Sequence, residues 1–270
     1  MVVVADERDV DAVSDVLWQL GVRAIEERRV ATTVELWTAV GDDDTAIARA
    51  GEALRGRWPH RVVEVAATAA DTWRDFAEPM HVGDDLVVVP AWKDTGPSSS
   101  SVTVVRIEPG GAFGLGDHPT TMLSLRAMRH LLDGETDVID VGCGTGVIAV
   151  TAALLQGRPV RAIDVASAAV EATTDNARRN GVVDRVVVDT TGLADIDGTY
   201  DLVVANILAP VLVALADDLR RVTRPGGRLV ISGILAASHQ HVLDALEPLL
   251  VERTDELDGW AGVVLRHPDA

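Results

Sequence analysis

The chain has 270 residues, 47% of them hydrophobic, enough for two ordinary domains with sizeable cores and unlike a disordered protein. Its net charge of −18 disfavours a phosphate-binding surface, since nucleic-acid affinity draws on Lys and Arg, and it would attract a cationic partner, although a merely soluble acidic surface is the plainer reading of charge alone. A single cysteine, Cys143, excludes an intrachain disulfide, and with seven scattered histidines it leaves no expectation of a metal site.

The opening MVVVADERDVD lacks the basic region and cleavage site of a signal peptide, and no stretch reaches the roughly 20 apolar residues of a membrane span. A soluble cytoplasmic chain is the expectation. Residue patterning then predicts a strand at Val2–Ala5, a helix from Glu7 to Leu20, strands near Val22–Val30 and Thr33–Val40, a helix near Thr45–Arg57 and a strand at Arg61–Ala66. Val10, Val13, Leu17 and Leu20 recur at helical spacing and would bury one face. The order βαββαβ matches a ferredoxin-like unit, which by itself names no ligand. A plain structural domain is the alternative to a binding role.

Short strands are expected at Leu86–Pro90 and Val102–Ile107, flanking the turn-rich Lys93-Asp94-Thr95-Gly96-Pro97 and Ser98–Ser101. That arrangement predicts a hairpin loop rather than a free tether. Next comes "EPGGAFGLGDHPTT", Glu108 to Thr121, placed directly before a helical pattern.

From there strand and helix alternate. Strands are expected at Val138–Val141, Val160–Ile163, Arg185–Val188, Leu202–Ala205 and Arg228–Ile231. Helices are expected at Val147–Leu155, from a Ser167 cap to Asn180-Gly181, at Ala209–Val222 before Pro225-Gly226-Gly227, and at His239–Leu249. Such βα repeats imply a mostly parallel sheet with helices on both faces. Two last strands, Val251–Leu257 and Ala261–Arg266, join through Asp258-Gly259 and should form an antiparallel hairpin at one edge.

Asp140-Val-Gly142-Cys-Gly144-Thr-Gly146 carries the strongest local signal, since ligands of open α/β sheets sit beyond the strand C-termini where glycine lets backbone come close. Asp164, twenty-two residues after Gly142, ends the next strand, where a carboxylate accepts from both hydroxyls of a ribose. An adenosine-containing ligand follows. The spacing is GxGxG rather than the dinucleotide GxGxxG, which favours S-adenosylmethionine over the alternative, NAD.

With Phe113-Gly114-x-Gly116-x-His118-Pro119-Thr120-Thr121, Asn206-Ile207-Leu208-Ala209, Pro225-Gly226-Gly227 and Ser232-Gly233-Ile234-Leu235-Ala236 added to that glycine motif, Glu108 to Arg266 resembles the ribosomal protein L-eleven methyltransferase family (PrmA) of class I methyltransferases. The glycine motif is shared across methyltransferases, whereas His-Pro-Thr-Thr combined with Asn-Ile-Leu-Ala is far more specific. Before residue 93 the similarity lies only in layout and in Trp73, Phe76 and Pro90-x-Trp92.

The resemblance implies an α/β chain: a Rossmann-like methyltransferase domain with a mostly parallel seven-stranded sheet at 109–270, preceded by a ferredoxin-like α+β substrate-recognition domain at 1–70 and a connecting segment with short strands at 71–108. It implies S-adenosyl-L-methionine as cofactor, held by Thr121, Gly142, Asp164 and Asn206, with Gly144 and Gly146 in the same turn. It further implies methylation of Lys and N-terminal amines on a ribosomal protein. A basic protein partner, a monomeric state, and no direct nucleic-acid or membrane binding are expected.

The residues leave several roles open. A helix N-cap is the alternative for Thr121. His118 is a turn residue, a donor within the loop or a substrate contact. A Lys amine, with an ordinary pKa of about 10.4, must lose a proton before attack. No general base is identified; Asn206, His118 and Asp117 are the candidates for positioning the amine. Ile-Leu-Ala after Asn206, in place of Pro-Pro-Tyr, favours a flexible amine over a planar acceptor. The chain departs from the family at Leu115 and Asp117, where Thr is usual at both, and at Asp164-Val165-Ala166-Ser167, where a second acid is usual. The competing readings are a methyltransferase of the same fold acting on another protein or a small amine, and a cofactor-binding module without turnover.

Overall fold

A computed structural model describes residues 1–20, 22, 25–30, 33–40, 44–63, 77–93, 102–109 and 118–269. The expected strand end at 64–66, Trp73, Phe76 and the loop residues Phe113, Gly114, Leu115, Gly116 and Asp117 lie outside the described residues. The chain divides into two compact units, Met1–Phe76 and Ala77–Ala270.

In the first unit β1 (Val2–Asp6) leads through a 3-10 turn into α1 (Val10–Gln19), followed by β2 (Glu26–Val30), β3 (Thr33–Trp37), α2 (Asp44–Leu54) and β4 (His60–Arg61). The sheet order is β2-β3-β1-β4 with every pairing antiparallel, a ferredoxin-like arrangement. Alternation in the strands sends Val3, Ala5, Val34 and Leu36 to one face, where they meet Val13 and Leu17 of α1 and Ala50 and Leu54 of α2. Burying each such Val or Leu contributes on the order of 1.5–3 kcal/mol, so these periodic positions hold the two layers together.

The second unit begins with β5 (Met80–His81), β6 (Leu86–Pro90) and β7 (Thr103–Ile107), a three-stranded sheet of that order. Strands β6 and β7 pair in parallel, which corrects the expected hairpin. Parallel neighbours need a crossover of about a dozen residues, and residues 91–102 supply that length. The short sheet is part of this unit's core: Met80, Val82, Leu86, Val88, Val105 and Ile107 pack with Leu125 and Met128.

After α3 (Pro119–Arg129) come β8 (Val138–Val141), α4 (Val147–Gln156), β9 (Val160–Ile163), α5 (Ser167–Arg179), β10 (Val186–Asp189), β11 (Tyr200–Asn206), α6 (Ala209–Ala214), α7 (Ala216–Val222), β12 (Thr223–Leu235), α8 (Gln240–Ala245), β13 (Leu250–Leu257) and β14 (Trp260–Arg266). Seven strands form a sheet ordered β10-β9-β8-β11-β12-β14-β13, a Rossmann-like class I methyltransferase fold. Only β14 runs against the direction of the other six strands, paired with β12 on one side and the edge strand β13 on the other. Asp258 (φ 50°) and Gly259 (φ 80°) make the primed turn that closes this hairpin.

The central strands of the sheet are buried on both sides, whereas the edge strand β13 is largely exposed. Val138, Leu202 and Val204 meet α3, α4 and α5, while Ile139, Val203 and Ala205 meet α6, α7 and α8. Three helix boundaries differ from expectation. Ser167 is the first helical residue and not the cap, which is Ala166, without a capping side-chain bond. The helix expected at 209–222 is interrupted at Leu215 (φ −98°, ψ 6°). The last helix stops at Ala245 because Glu247 precedes Pro248, and a proline disfavours helical geometry in the residue before it. No helix among the described residues is long and apolar enough to cross a membrane.

Candidate functional site

The strand order reverses between β8 and β11, and in open α/β sheets ligands bind beyond the C-terminal strand ends at such a switch point. The predicted residues gather there: Gly142–Gly146 follows β8, Asp164 follows β9, and Asn206 ends β11. Thr121, in the first turn of α3, joins them by accepting a long hydrogen bond from Asn206 Nδ2 at 3.5 Å. Its side chain is buried and it is not the cap of α3.

That cap is His118. Its Nδ1 accepts from the Thr120 amide at 3.3 Å and lies 2.8 Å from Thr120 Oγ1. Its ring stands edge-on to Trp260 with centroids 4.9 Å apart. Of its three possible roles, the turn role is therefore filled. Asp117, the other loop candidate, lies outside the described residues.

The turn after β8 depends on left-handed backbone, with φ of 74°, 54° and 76° at Gly142, Gly144 and Gly146. A side chain would be strained at each, and there is no room for one at two of them. A Cβ at Gly142 would collide with Ile207 Cγ2, and one at Gly146 would lie 2.6 Å from Thr173 Cγ2. Ile207 is also pressed from behind, because a Cβ at Gly233 would come within 2.5 Å of its carbonyl oxygen. The glycine turn, Asn-Ile-Leu-Ala and Ser-Gly-Ile-Leu motifs are thus one packing unit, with Ile207 held between two glycines.

Backbone in the turn is tied down from several directions. Gly142 and Cys143 donate to Ile163 O at 2.8 and 3.1 Å. Gly144 donates to Asp164 Oδ2 at 3.0 Å, and its carbonyl accepts from Thr173 Oγ1 at 3.1 Å. Asp164 Oδ1 accepts from the Ala166 amide at 2.9 Å. One backbone bond to each oxygen holds the carboxylate in place and leaves lone pairs for ligand hydroxyls.

Sequence reasoning missed the task of Asp140. A helix start leaves four N–H groups without intrahelical partners, and the cap of α4 is Gly146, which has no side chain. Asp140 compensates from the strand end, its Oδ2 accepting from the Ala149 amide at 3.1 Å. The missing cap at Gly146 was the available signal. Asp140 is fully buried, and Oδ1 has no hydrogen-bond partner in the protein. Burial pushes its carboxyl up to about 7, opposed by the Ala149 bond and reinforced by the charge of Asp164. Cys143 is buried, and its thiol is pushed upward by burial and then by Asp140, so it is a packing residue and no nucleophile.

These residues fit an adenosine-bearing ligand. A half-exposed carboxylate ends β9, a turn of left-handed glycines ends β8, and amide and hydroxyl groups meet at the end of β11. Residues 60–268 match the family model described as ribosomal protein L11 methyltransferase (PrmA). A ribosomal protein L11 methyltransferase of Symbiobacterium thermophilum is 42% identical over 201 residues, covering 74% of this chain and 66% of that protein. Another, of an Exiguobacterium species, is 38% identical over 200 residues, covering 73% and 64%. The match therefore spans slightly less than two thirds of these relatives. The crystal structure of a ribosomal protein L11 methylase from Lactobacillus delbrueckii subsp. bulgaricus superposes with a TM-score of 0.66 at 30% identity, over 71% of this chain and 100% of that one. With the family model covering well over half of its length, the chain belongs to the ribosomal protein L11 methyltransferase (PrmA) family.

Proposed function

We propose that the chain is an S-adenosylmethionine-dependent protein methyltransferase that modifies Lys and N-terminal amines of ribosomal protein L11. The observation that carries this reading is the meeting of Gly142–Gly146, Asp164, Asn206 and Thr121 beyond the strand ends where the sheet order reverses.

In this reading Asp164 accepts from the ribose hydroxyls, while Gly142, Gly144 and Gly146 bring backbone close to the methionine part. Thr121 and Asn206 supply polar contacts from the side of α3 and β11. When bound, the cofactor supplies an electrophilic methyl group on a sulfonium, so catalysis is largely a matter of positioning. The acceptor amine must be neutral. Asn206, through its side-chain or main-chain oxygen, orients that amine, with His118 and Asp117 as further candidates, and water removes the proton. The ferredoxin-like unit serves substrate recognition, and the net charge of −18 suits a Lys- and Arg-rich target. Cytoplasmic action on a ribosomal protein belongs to the same reading.

The test incubates the protein with labelled S-adenosylmethionine and purified L11, followed by mass spectrometry. Methyl groups on Lys or the N-terminus of L11 are expected. No label on L11, with label on another protein or a small amine, would move the assignment to that acceptor. No label anywhere despite cofactor binding would mark a binding module.

A further inference from the structure

Helix α5 turns one face towards both the glycine turn and β7. Along that face lie Ala169, Thr173, Asn176 and Ala177, all buried, followed by Asn180 just past the helix end. The two asparagines do what a neighbouring strand would do. Strand β7 is the edge of its sheet, so its outer N–H and C=O groups need partners from elsewhere. Asn180 Oδ1 accepts from Arg106 N at 2.8 Å and its Nδ2 donates to Arg106 O at 2.7 Å. Asn176 repeats this with Glu108, accepting from its N at 2.9 Å and donating to its O at 2.8 Å.

The spacing works because two residues of strand advance about 6.6 Å and four residues of helix about 6 Å. Asn176 and Asn180 on the helix therefore stand level with Arg106 and Glu108 on the strand.

Asn176 makes two bonds that Asn180 does not. Its second amide hydrogen goes to Thr145 O at 3.0 Å, in the middle of the glycine turn. Oδ1 also accepts from Arg179 Nη1 at 2.7 Å, so both donors and both acceptor positions of this buried amide are used. One turn of helix earlier, Thr173 holds the carbonyl of Gly144. Successive carbonyls of the turn, at Gly144 and Thr145, are thus anchored by α5. Through Asn176 that anchor reaches Glu108, two residues before the segment 110–117.

We propose that Asn176 is a positioning residue for the cofactor: a single buried amide that holds Thr145 in the glycine turn and sets it against Glu108, where the chain enters residues 110–117. The proposal rests on the reading of this turn as the cofactor seat. Replacement by Asp keeps the acceptor for Glu108 N but removes both donors and places a charge against two carbonyls. Replacement by Ala removes all four bonds. Asn180 is the matched control, bracing the same strand without touching the turn.

Calorimetry with S-adenosylhomocysteine and hydrogen exchange on the ligand-free protein test this. Asn176→Ala and Asn176→Asp should each weaken binding by about tenfold, while Asn180→Ala stays within about twofold of wild type. Amide exchange across residues 143–147 should speed up in both Asn176 variants and remain unchanged in Asn180→Ala. Equal weakening by Asn180→Ala, or an unchanged turn in Asn176→Asp, would reduce Asn176 to a general brace and overturn the proposal. Should Asn176→Ala fail to fold, Asn176→Asp carries the comparison. Failure of the wild type to bind the ligand would defeat the cofactor reading itself. The exchange data, which need no ligand, separate that failure from failure of the coupling.

Discussion

The two units treat their polar groups in opposite ways. In the ferredoxin-like unit all five residues of β2 are exposed, and polar side chains pair with one another at the surface: Arg28 with Glu26 and Arg61 with Glu35. Burial there is almost wholly apolar, through residues such as Val3, Leu17, Leu36 and Leu54. In the Rossmann-like unit Asp140, Thr145, Thr173, Asn176 and Ser232 are buried, and Asp140, Thr173, Asn176 and Ser232 form side-chain bonds to backbone. A buried polar group without a partner costs about 1–3 kcal/mol, and in this cluster nearly every bond is met, Asp140 Oδ1 being the exception. The family match begins at residue 60 and so leaves out most of the first unit. An apolar alternation can be satisfied by many sequences, whereas a left-handed turn tied to specific amides and carboxylates can be satisfied by few.

If the two units divide recognition from chemistry, removal of residues 1–76 should abolish methylation of L11 while leaving cofactor affinity intact. Radiolabel transfer and calorimetry on the shortened protein check this, and retained L11 methylation would break the division. The cut belongs at 76 and not near 95, because Met80, Val82, Leu86 and Val88 are part of the second core.

Gly146→Ala should be the most damaging single change to the second unit, at about 2–4 kcal/mol for left-handed strain plus crowding against Thr173. Trp18, Trp37, Trp58 and Trp73 lie in residues 1–76, so tryptophan fluorescence follows mainly the first unit and circular dichroism follows both. Denaturant curves should shift in the second signal far more than in the first. Parallel shifts would show that the units do not unfold separately.

Asp164→Ala should weaken cofactor binding by about 1.5–3 kcal/mol, the range for a charge-assisted hydrogen bond. Calorimetry reads it, and unchanged affinity in a folded variant would refute the ribose assignment.

Asp140 gives the comparison a pH axis. Burial raises its folded pKa from an ordinary 3.8 to about 7, so between those values the folded state holds a proton that the unfolded state has lost. Its contribution is complete below the unfolded pKa and is lost as pH rises through the folded one. Unfolding measured from pH 5 to 8 should show the second unit losing stability as pH rises. Asp140→Asn, which can still accept from Ala149, should flatten that slope; an unchanged slope would assign it elsewhere.

Arg28→Ala should have the smallest effect. Its guanidinium lies 4.3 Å from the Trp37 ring centroid and pairs with Glu26, exposed contacts worth about 0.5–1 kcal/mol together. Urea denaturation followed by fluorescence measures it, and a loss above that range would mean that this surface is more tightly built than its exposure suggests.

Sequence alone was sufficient for most of the order of strands and helices, though not for the short β5 or the break at Leu215, and for both fold types, the family, and the gathering of Gly142, Asp164 and Asn206. These follow from local rules: alternation marks strands, glycine marks left-handed turns, and residues at strand ends of an open α/β sheet share one edge. Pairing direction was legible in the large sheet and its terminal hairpin but not between β6 and β7. The pattern at Leu86–Pro90 and Val102–Ile107 suits either direction, and the choice depends on the core that β6 and β7 share with α3. Nor was the capping role of His118, or the bracing by Asn176 and Asn180, because each joins residues by where side chains point after packing; for Asp140 the sequence offered only the capless Gly146 as a signal. Sequence determined which backbone shapes and residue types were present. Tertiary structure decided which of them meet, since a hydrogen bond between residues 68 apart, as from Asn176 to Glu108, exists only once the intervening helix and strands have packed.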